Sequence, residues 1–278
     1  MSDNRMLTQD KIEKYFDEAS TYRRLDQISK NPYIKKTYME IREAAINLVK
    51  VPSNLFLDAG CGVGALAFIY NDIMSNHFEN YRMIGIDISH QSLKLASIQN
   101  LANARYCRAN LRNLPFPDKT FDVIFLVEVI EHISDKELVI NEISRVMKDN
   151  GQLIVTTPNR DCITLKIHNR LLDLGFRIYK RPIVNKDEYC SMVQIMKLAD
   201  ICGLYPVIKL YLHLNPLALT RRGKTYGIIP IATPRLLLYW LKILRKIEDK
   251  IYIPLQIKKY FYWTIVMDFR KQQRFKEK

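Results

Sequence analysis

An acidic residue and three glycines stand close together in the segment LDAGCGVG, residues 57–64. Asp58 ends a short apolar run, and Gly60, Gly62 and Gly64 follow at alternating positions. Glycine lets a backbone turn sharply and come close to a ligand, and a helix beginning after such a loop offers unpaired N–H groups. The segment is therefore typical of a nucleotide-binding loop. It also fits the dinucleotide pattern GxGxx[GA], which by itself is a weak signal.

Three polar residues help to decide which nucleotide the loop would take. A carboxylate at Asp58 would repel a pyrophosphate but could accept hydrogen bonds from an ammonium group. Asp87 ends the next apolar run, where acidic residues accept hydrogen bonds from ribose hydroxyls. Asn110 follows the third run and could bind an adenine amino group, with Leu111 beside the ring. Together these residues favour an adenosine ligand that carries an ammonium group.

A second cluster, EVIEH at residues 128–132, contains groups that could move a proton. Glu128, Glu131 and His132 are spaced i, i+3 and i+4, so a single helical turn would gather them on one face. His132 could take a proton from a hydroxyl near neutral pH, which makes it the candidate general base. The same three residues are weak candidates for the ligands of a divalent metal. Alternatively, His132 and Glu131 only cap or orient a helix.

Strands and helices are predicted to alternate around these residues. The predicted strands are 55–59, 83–87, 105–109, 121–127, 152–156, 205–212 and 260–269, and the predicted helices are 65–76, 90–102, 135–147 and 191–202. Short apolar strands separated by helices indicate βαβ units and a parallel sheet with helices on both faces. Further helices are predicted within residues 9–50, 163–174 and 235–248.

Four blocks, in this order, resemble the class I S-adenosylmethionine-dependent methyltransferases: LDAGCGVG, IGIDIS, ANLRNLPFPDKTFDVIFLVEVIEH and GQLIVTTPN. The resemblance covers about residues 54–158. It implies a doubly wound, Rossmann-like α/β fold with a mostly parallel seven-stranded sheet and an antiparallel last strand. N-terminal helices and a helical insertion between the last two strands would complete this fold.

The resemblance also implies that S-adenosyl-L-methionine is the cofactor. The residues that match the family's cofactor site are Asp58, Gly60, Cys61, Gly62, Gly64, Asp87, Ile88, Asn110, Leu111, Val127 and Glu128. Relatives more often have Asp in the place of Asn110, and Asn keeps an acceptor there. Val127 and Glu128, at the tip of the fourth strand, should line the transfer region.

The EVIEH block resembles a metal-binding block of small-RNA 2′-O-methyltransferases and of ubiquinone-pathway O-methyltransferases. The RNA enzymes add a further histidine after their TPN block. The comparable stretch here, residues 185–189, contains no histidine. We therefore predict no metal site.

The two halves of the chain differ in charge. Residues 1–159 contain 19 Lys and Arg against 20 Asp and Glu, whereas residues 160–278 contain 24 against 9. A basic half can attract an anionic partner, although a solvated lysine-rich surface is the alternative. We expect four segments: an N-terminal helical cap (1–50), the cofactor-binding core (51–212), a basic substrate-cap insertion (213–258), and a final strand with a basic tail (259–278).

The sequence predicts a cytoplasmic protein that could also make peripheral contact with a membrane. Five scattered cysteines without a CxxC pair indicate free thiols, and the N-terminus is polar, without a signal peptide. No stretch of the chain has about 18 consecutive apolar residues, so no transmembrane helix is predicted. Residues 226–244 could still lie on a membrane surface, with a cap helix packed on the domain as the favoured alternative.

The predicted reaction is methylation, at oxygen or carbon, of a small-molecule or lipid-like acceptor. The LPFPDKTFD block and the fused cap resemble small-molecule enzymes of the quinone-pathway type, and an aromatic, basic cap suits an amphipathic anionic substrate. An RNA methyltransferase that uses the basic half is the alternative. Nucleic acid is disfavoured because we find no RNA-binding module and no NPPY-type tetrapeptide after the fourth strand. A non-catalytic cofactor-binding subunit is the second alternative, and a dehydrogenase would instead bind NAD.

Overall fold

A computed structural model of the protein describes residues 32–50, 54–74, 81–163, 166, 189–214, 218–221, 224–227 and 262–271. The helices are α1 (Pro32–Ile46), α2 (Ala65–Met74), α3 (His90–Ile98), α4 (Lys136–Val146) and α5 (Met192–Ile201). The strands are β1 (Leu55–Ala59), β2 (Arg82–Asp87), β3 (Ala104–Arg108), β4 (Phe121–Val127), β5 (Met147–Pro158), β6 (Leu204–Leu214), β7 (Ala218–Arg221), β8 (Lys224–Gly227) and β9 (Tyr262–Lys271). A short 3-10 turn covers Ile130–His132.

Seven strands form one sheet in the order β3-β2-β1-β4-β5-β9-β6. The first five are parallel to one another, and β9 is antiparallel to both of its neighbours. The predicted mostly parallel sheet, with an antiparallel strand inserted near its end, is therefore confirmed. The strand order reverses between β1 and β4, and ligands of open α/β sheets bind at such a switch point, beyond the carboxyl ends of the strands.

The sheet is covered by apolar side chains on both faces. Successive residues of β1 belong to different layers: Phe56 packs with Tyr70 and Phe125 on one face, while Leu57 packs with the α4 side on the other. Phe56, Leu57 and Phe125 are fully buried. Each such side chain stabilises the fold by about 1.5–3 kcal/mol. This burial fixes where β1 and β4 end, and so places the residues that follow them.

Two element boundaries differ from the prediction by more than two residues, each for a local reason. Helix α3 ends at Ile98 rather than at 102, because Asn100 takes a left-handed conformation (φ 48°) and turns the chain. Strand β5 begins at Met147 rather than at 152, and its pairing with β4 contains an irregularity. Helix α5 matches its prediction, with a Ser191 capping box at its start and Gly203 (φ 71°) after its end.

The C-terminal insertion is described in part. Strands β7 and β8 pair as a short antiparallel hairpin that the sequence did not predict. The predicted helix within 235–248 lies outside the described residues, as do most of the predicted helix within 163–174 and the N-terminal region before residue 32. Among the helices that the structure describes, none is long and apolar enough to cross a membrane.

Candidate functional site

The glycine loop folds back over the end of β2. Gly60, Gly62 and Gly64 have φ values of 81°, 54° and 77°, which residues with a side chain rarely adopt. The backbone N–H groups of Gly60 and Cys61 both donate to the carbonyl of Ile86, at 2.8 and 2.9 Å. A Cβ placed on Gly62 would meet no atom within 4 Å, so the loop has open space above it for a ligand.

Asp58 is buried beneath this loop, with 3% of its surface exposed. Its Oδ2 has no hydrogen-bond partner among the described residues. Burial raises the pKa of Asp58 to about 7; the cation of Arg42 lowers it in part, and Asp87 raises it further. A buried carboxyl oxygen without a partner is costly, and an ammonium group arriving with a ligand would satisfy it.

Asp87 supports the loop from the end of β2. It accepts hydrogen bonds from the backbone N–H groups of Gly62 (2.8 Å) and Ser89 (2.9 Å). A carboxylate at the end of β2 is an acceptor that suits ribose hydroxyls. The neighbouring carbonyl of Ile88 accepts a hydrogen bond from Arg108 Nε at 3.0 Å, which ties the end of β3 to this turn.

Asn110 and Leu111 begin the turn that follows β3. Asn110 Oδ1 accepts from the backbone N–H of Arg112 at 3.0 Å, so the amide is held within its own turn. Arg145 of α4 fixes the rest of this loop by donating to the carbonyls of Leu114 and Phe116, at 3.0 and 2.8 Å. The predicted adenine-binding turn therefore stands beside Asp87, at the carboxyl edge of the sheet.

Glu128 leaves β4 in a strained conformation. Its φ is 57°, unusual for a residue with a side chain. The backbone N–H of Glu128 donates to the Thr156 carbonyl (3.0 Å), and Thr156 Oγ1 donates to Glu128 Oε1 (3.1 Å). Strained residues of this kind occur at functional sites when the surrounding structure holds them in place. Here β5 holds Glu128 at the tip of β4, directly after Val127.

The expectation that one helical turn gathers Glu128, Glu131 and His132 is wrong. The 3-10 turn begins at Ile130, after Glu128. Thr157 donates to the buried carboxylate of Glu131 at 3.0 Å, while Thr156 binds Glu128. Successive residues of a strand point to opposite faces, so β5 anchors the two carboxylates on different sides of the sheet.

Within the described part of the chain, no three His, Cys, Asp or Glu residues are grouped to hold a metal ion. His132 ends the 3-10 turn, partly exposed, and its backbone N–H donates to the Val129 carbonyl at 2.9 Å. An accessible imidazole near the carboxyl edge of the sheet remains a candidate for proton transfer.

A comparison with known protein families matches residues 57–155 to a methyltransferase domain. The matched residues contain the glycine loop, Asp87, the turn at Asn110 and the tip of β4. The chain carries a class I S-adenosylmethionine-dependent methyltransferase domain. The cofactor of this methyltransferase domain is S-adenosylmethionine.

Curated relatives resemble part of the chain around the methyltransferase domain. A probable S-adenosylmethionine-dependent methyltransferase of Mycolicibacterium smegmatis is 35% identical, over 37% of this chain and 38% of its own length. A ubiquinone/menaquinone biosynthesis C-methyltransferase of Vibrio vulnificus is 32% identical, over 37% of this chain and 41% of its own. The chain spans about half, or less, of the length of the curated relatives it matches.

Solved structures share the fold of the methyltransferase domain. The magnesium protoporphyrin IX methyltransferase of Synechocystis PCC 6803, solved with bound SAH, superimposes with a TM-score of 0.62. The match covers 94% of this chain and 98% of that one at 14% sequence identity, so it shows the fold alone.

The site of the methyltransferase domain fits its cofactor. The unpartnered Asp58 oxygen suits the ammonium group, and the open space above Gly62 suits close approach of a ligand. The carboxylate of Asp87, at the end of β2, is an acceptor that suits ribose hydroxyls. The same buried carboxylate disfavours the pyrophosphate of a dinucleotide.

Several residues that shape the site were not predicted from the sequence. Arg42 of α1 lies within electrostatic range of Asp58, and Val129 packs against Gly60. Thr156 and Thr157 anchor the two glutamates. The block GQLIVTTPN contained those threonines, but nothing local to β5 indicates which side chains they bind.

Proposed function

We propose that the protein transfers a methyl group from S-adenosylmethionine to a small-molecule or lipid-like acceptor, at an oxygen or a carbon atom. The observation that carries this proposal is the unpartnered carboxyl oxygen Oδ2 of Asp58 beneath the glycine loop, at the switch point of a methyltransferase domain. The acceptor class is supported by relatives named as a quinone-pathway C-methyltransferase and as an O-methyltransferase.

Binding of the cofactor is divided among the ends of three strands. Asp58, after ionisation, binds the ammonium group, and the glycine loop surrounds the methionine end. Asp87 accepts hydrogen bonds from the ribose hydroxyls, with Ile88 beside the base. Asn110 and Leu111 contact the adenine. Because these groups follow the adjacent strands β1, β2 and β3, one rigid sheet sets the distances between them.

Methyl transfer mainly requires the protein to position the acceptor atom in line with the methyl group. S-adenosylmethionine supplies a methyl group on a sulfonium centre, which is already activated for displacement. Val127 and Glu128 line the place where the acceptor atom must align, and the β5 threonine fixes the Glu128 carboxylate there. If the acceptor is a hydroxyl, His132 takes its proton.

The basic half of the chain governs the choice of acceptor in this proposal. Residues 160–278 carry 24 basic against 9 acidic side chains, a balance that attracts an anionic or amphipathic acceptor. We assign acceptor recognition to residues 213–258, the core to residues 51–212, the N-terminal cap to 1–50, and the last strand and tail to 259–278. We also place the protein in the cytoplasm, with peripheral contact at the membrane when the acceptor is a lipid.

The experiment is to incubate the protein and cell extract with S-adenosylmethionine labelled in its methyl group, and then to separate lipid, small-molecule, RNA and protein fractions. We expect enzyme-dependent label in the lipid or small-molecule fraction. An Asp58→Asn variant should give none, because it cannot ion-pair with the ammonium group. Label confined to RNA would replace this proposal with RNA methylation that uses the basic half as a phosphate-binding track.

A further inference from the structure

The side chain of Tyr106, on β3, extends over the neighbouring strand β2 to the glycine loop that follows β1. The register pairs Asp58 of β1 with Gly85 of β2, and Gly85 with Tyr106. Paired residues of adjacent strands project from the same face of a sheet, so Asp58 and Tyr106 share one face with a glycine between them. Gly85 leaves room for the aromatic ring, since a Cβ there would lie 2.6 Å from Tyr106 Cδ1.

The Tyr106 hydroxyl lies directly under the loop. It stands 2.7 Å from the position that a Cβ would take on Gly64. The hydroxyl is buried and has no hydrogen-bond partner among the described residues. Asp58 Oδ2 and Gln99 Oε1 are likewise buried without a hydrogen-bond partner among the described residues. Gln99 borders the loop because its Nε2 donates to the carbonyl of Val63. Three buried oxygens without partners therefore border one loop.

An unpartnered phenol hydroxyl does not stabilise the unliganded protein. A buried donor without an acceptor is destabilising, and an apolar group of the same shape in its place avoids that cost. Phenylalanine would fill the same space over Gly85. The Tyr106 hydroxyl is therefore expected to form its hydrogen bond when a ligand occupies the site. Two nearby oxygens lack a donor, Gln99 Oε1 and Asp58 Oδ2. Of these, the Asp58 carboxylate is charged when ionised and so forms the stronger hydrogen bond.

We propose that Tyr106 is a positioning residue for S-adenosylmethionine. When the methionine end of the cofactor occupies the loop, the Tyr106 hydroxyl donates a hydrogen bond to the Asp58 carboxylate, directly or through one ordered water. This inference rests on the proposed function. Burial raises the pKa of the Tyr106 hydroxyl, and the charges of Cys61 and Asp58 raise it further, so the group stays protonated and able to donate.

The experiment compares Tyr106→Phe with Tyr81→Phe. Tyr81 is also buried, but its hydroxyl donates to Asn71 Oδ1 at 3.1 Å. Calorimetry with S-adenosylhomocysteine measures affinity, and thermal unfolding of the unliganded protein measures stability. We expect Tyr106→Phe to bind about fivefold or more weakly without loss of stability. We expect Tyr81→Phe to lose stability and keep its affinity.

The pH dependence of binding separates positioning from mere packing. The titratable and charged groups that face Asp58 are Arg42 from α1, Asp87 from β2, Cys61 in the loop and Tyr106 from β3. Loss of a donor to a carboxylate raises its pKa. The midpoint of the pH dependence of binding should therefore move to higher pH in Tyr106→Phe and stay in place in Tyr81→Phe.

Two results would overturn the proposal: unchanged affinity in Tyr106→Phe, or a loss of stability as large as that of Tyr81→Phe. Failure of the wild-type protein to bind S-adenosylhomocysteine would contradict the proposed function itself, which keeps the two failures distinct.

Discussion

Val129, just beyond the tip of β4, packs directly onto Gly60 of the glycine loop. A Cβ on Gly60 would lie 2.5 Å from Val129 Cγ2, so the Val129 side chain lies as close to the Gly60 backbone as glycine allows. The contact joins the glycine loop to the segment that follows β4 and contains Glu128 and Glu131. The residues proposed to bind the cofactor and those proposed to line the transfer region are thus packed against each other.

Gly60→Ala should therefore impair both stability and binding. The new methyl group would clash with Val129, and the φ of 81° would strain any side chain. We expect a loss of about 1–3 kcal/mol in the free energy of unfolding and a loss of S-adenosylhomocysteine binding. Chemical denaturation and calorimetry would measure the two effects.

Gly62→Ala is the matched control for that substitution. Its φ of 54° is also strained, but a Cβ there meets nothing within 4 Å. It should lose binding with a smaller loss of stability than Gly60→Ala. Adding Val129→Ala to Gly60→Ala should restore part of the stability. Equal stability of the two single variants would show that the packing contact has no energetic role.

Thr156→Val tests the anchor of Glu128. Without the hydroxyl, the carboxylate loses a hydrogen-bond donor and the strained backbone at Glu128 loses one of its supports. We expect the rate of labelled methyl transfer to fall about tenfold, which corresponds to about 1.4 kcal/mol, with a smaller change in S-adenosylhomocysteine affinity. A fall in affinity with an unchanged rate would assign Thr156 to cofactor binding instead.

Thr157→Val provides the comparison on the opposite face of β5. It removes the donor to Glu131, whose side chain is 3% exposed. A buried carboxylate that loses a donor should cost about 1–3 kcal/mol of stability. The main effect of Thr157→Val should therefore appear in thermal unfolding and that of Thr156→Val in the rate.

The pKa of Asp58 gives the site a defined pH dependence. Only the ionised carboxylate binds an ammonium group well, and burial raises the pKa of Asp58 to about 7. Affinity for S-adenosylhomocysteine should be constant above pH 7 and fall below it, by up to about tenfold per pH unit. Calorimetry between pH 5.5 and about 8.5 measures this directly. Constant affinity across that range would contradict the assigned role of Asp58.

The stability of the unliganded protein should depend on pH in the opposite direction to affinity: the contribution of Asp58 falls as pH rises. The folded pKa of Asp58 lies above its ordinary value of 3.8, so the folded state binds more protons than the unfolded state between these values. The contribution of Asp58 to stability therefore declines as pH rises from about 4 to about 7. Asp58→Asn should remove this component of the pH dependence in denaturant titrations.

Treatment with a chelator tests the metal alternative for the EVIEH block. Because Thr156 and Thr157 hold Glu128 and Glu131 on opposite faces of β5, we expect full methyl transfer after treatment with EDTA and dialysis. Loss of the transfer, with recovery on addition of a divalent cation, would show that a metal takes part.

Some of the fold and site was predictable because the determining signals are local. The apolar runs before Asp58 and Glu128 set the bounds of β1 and β4, and both match the structure. The glycine loop was predicted from its spacing. By contrast, the Glu128 conformation depends on Thr156, 28 residues away, and a helical spacing rule cannot include it. The influence of Arg42 on Asp58 likewise depends on how α1 packs.

The central claim, that the loop at Asp58 is a site for S-adenosylmethionine, is tested most directly by calorimetry with S-adenosylhomocysteine and NAD⁺ on the wild-type protein and Asp58→Asn. The account predicts that the wild type binds S-adenosylhomocysteine, that NAD⁺ does not compete, and that Asp58→Asn binds about 100-fold more weakly. Binding of NAD⁺ in place of S-adenosylhomocysteine, or equal affinity in Asp58→Asn, would contradict it.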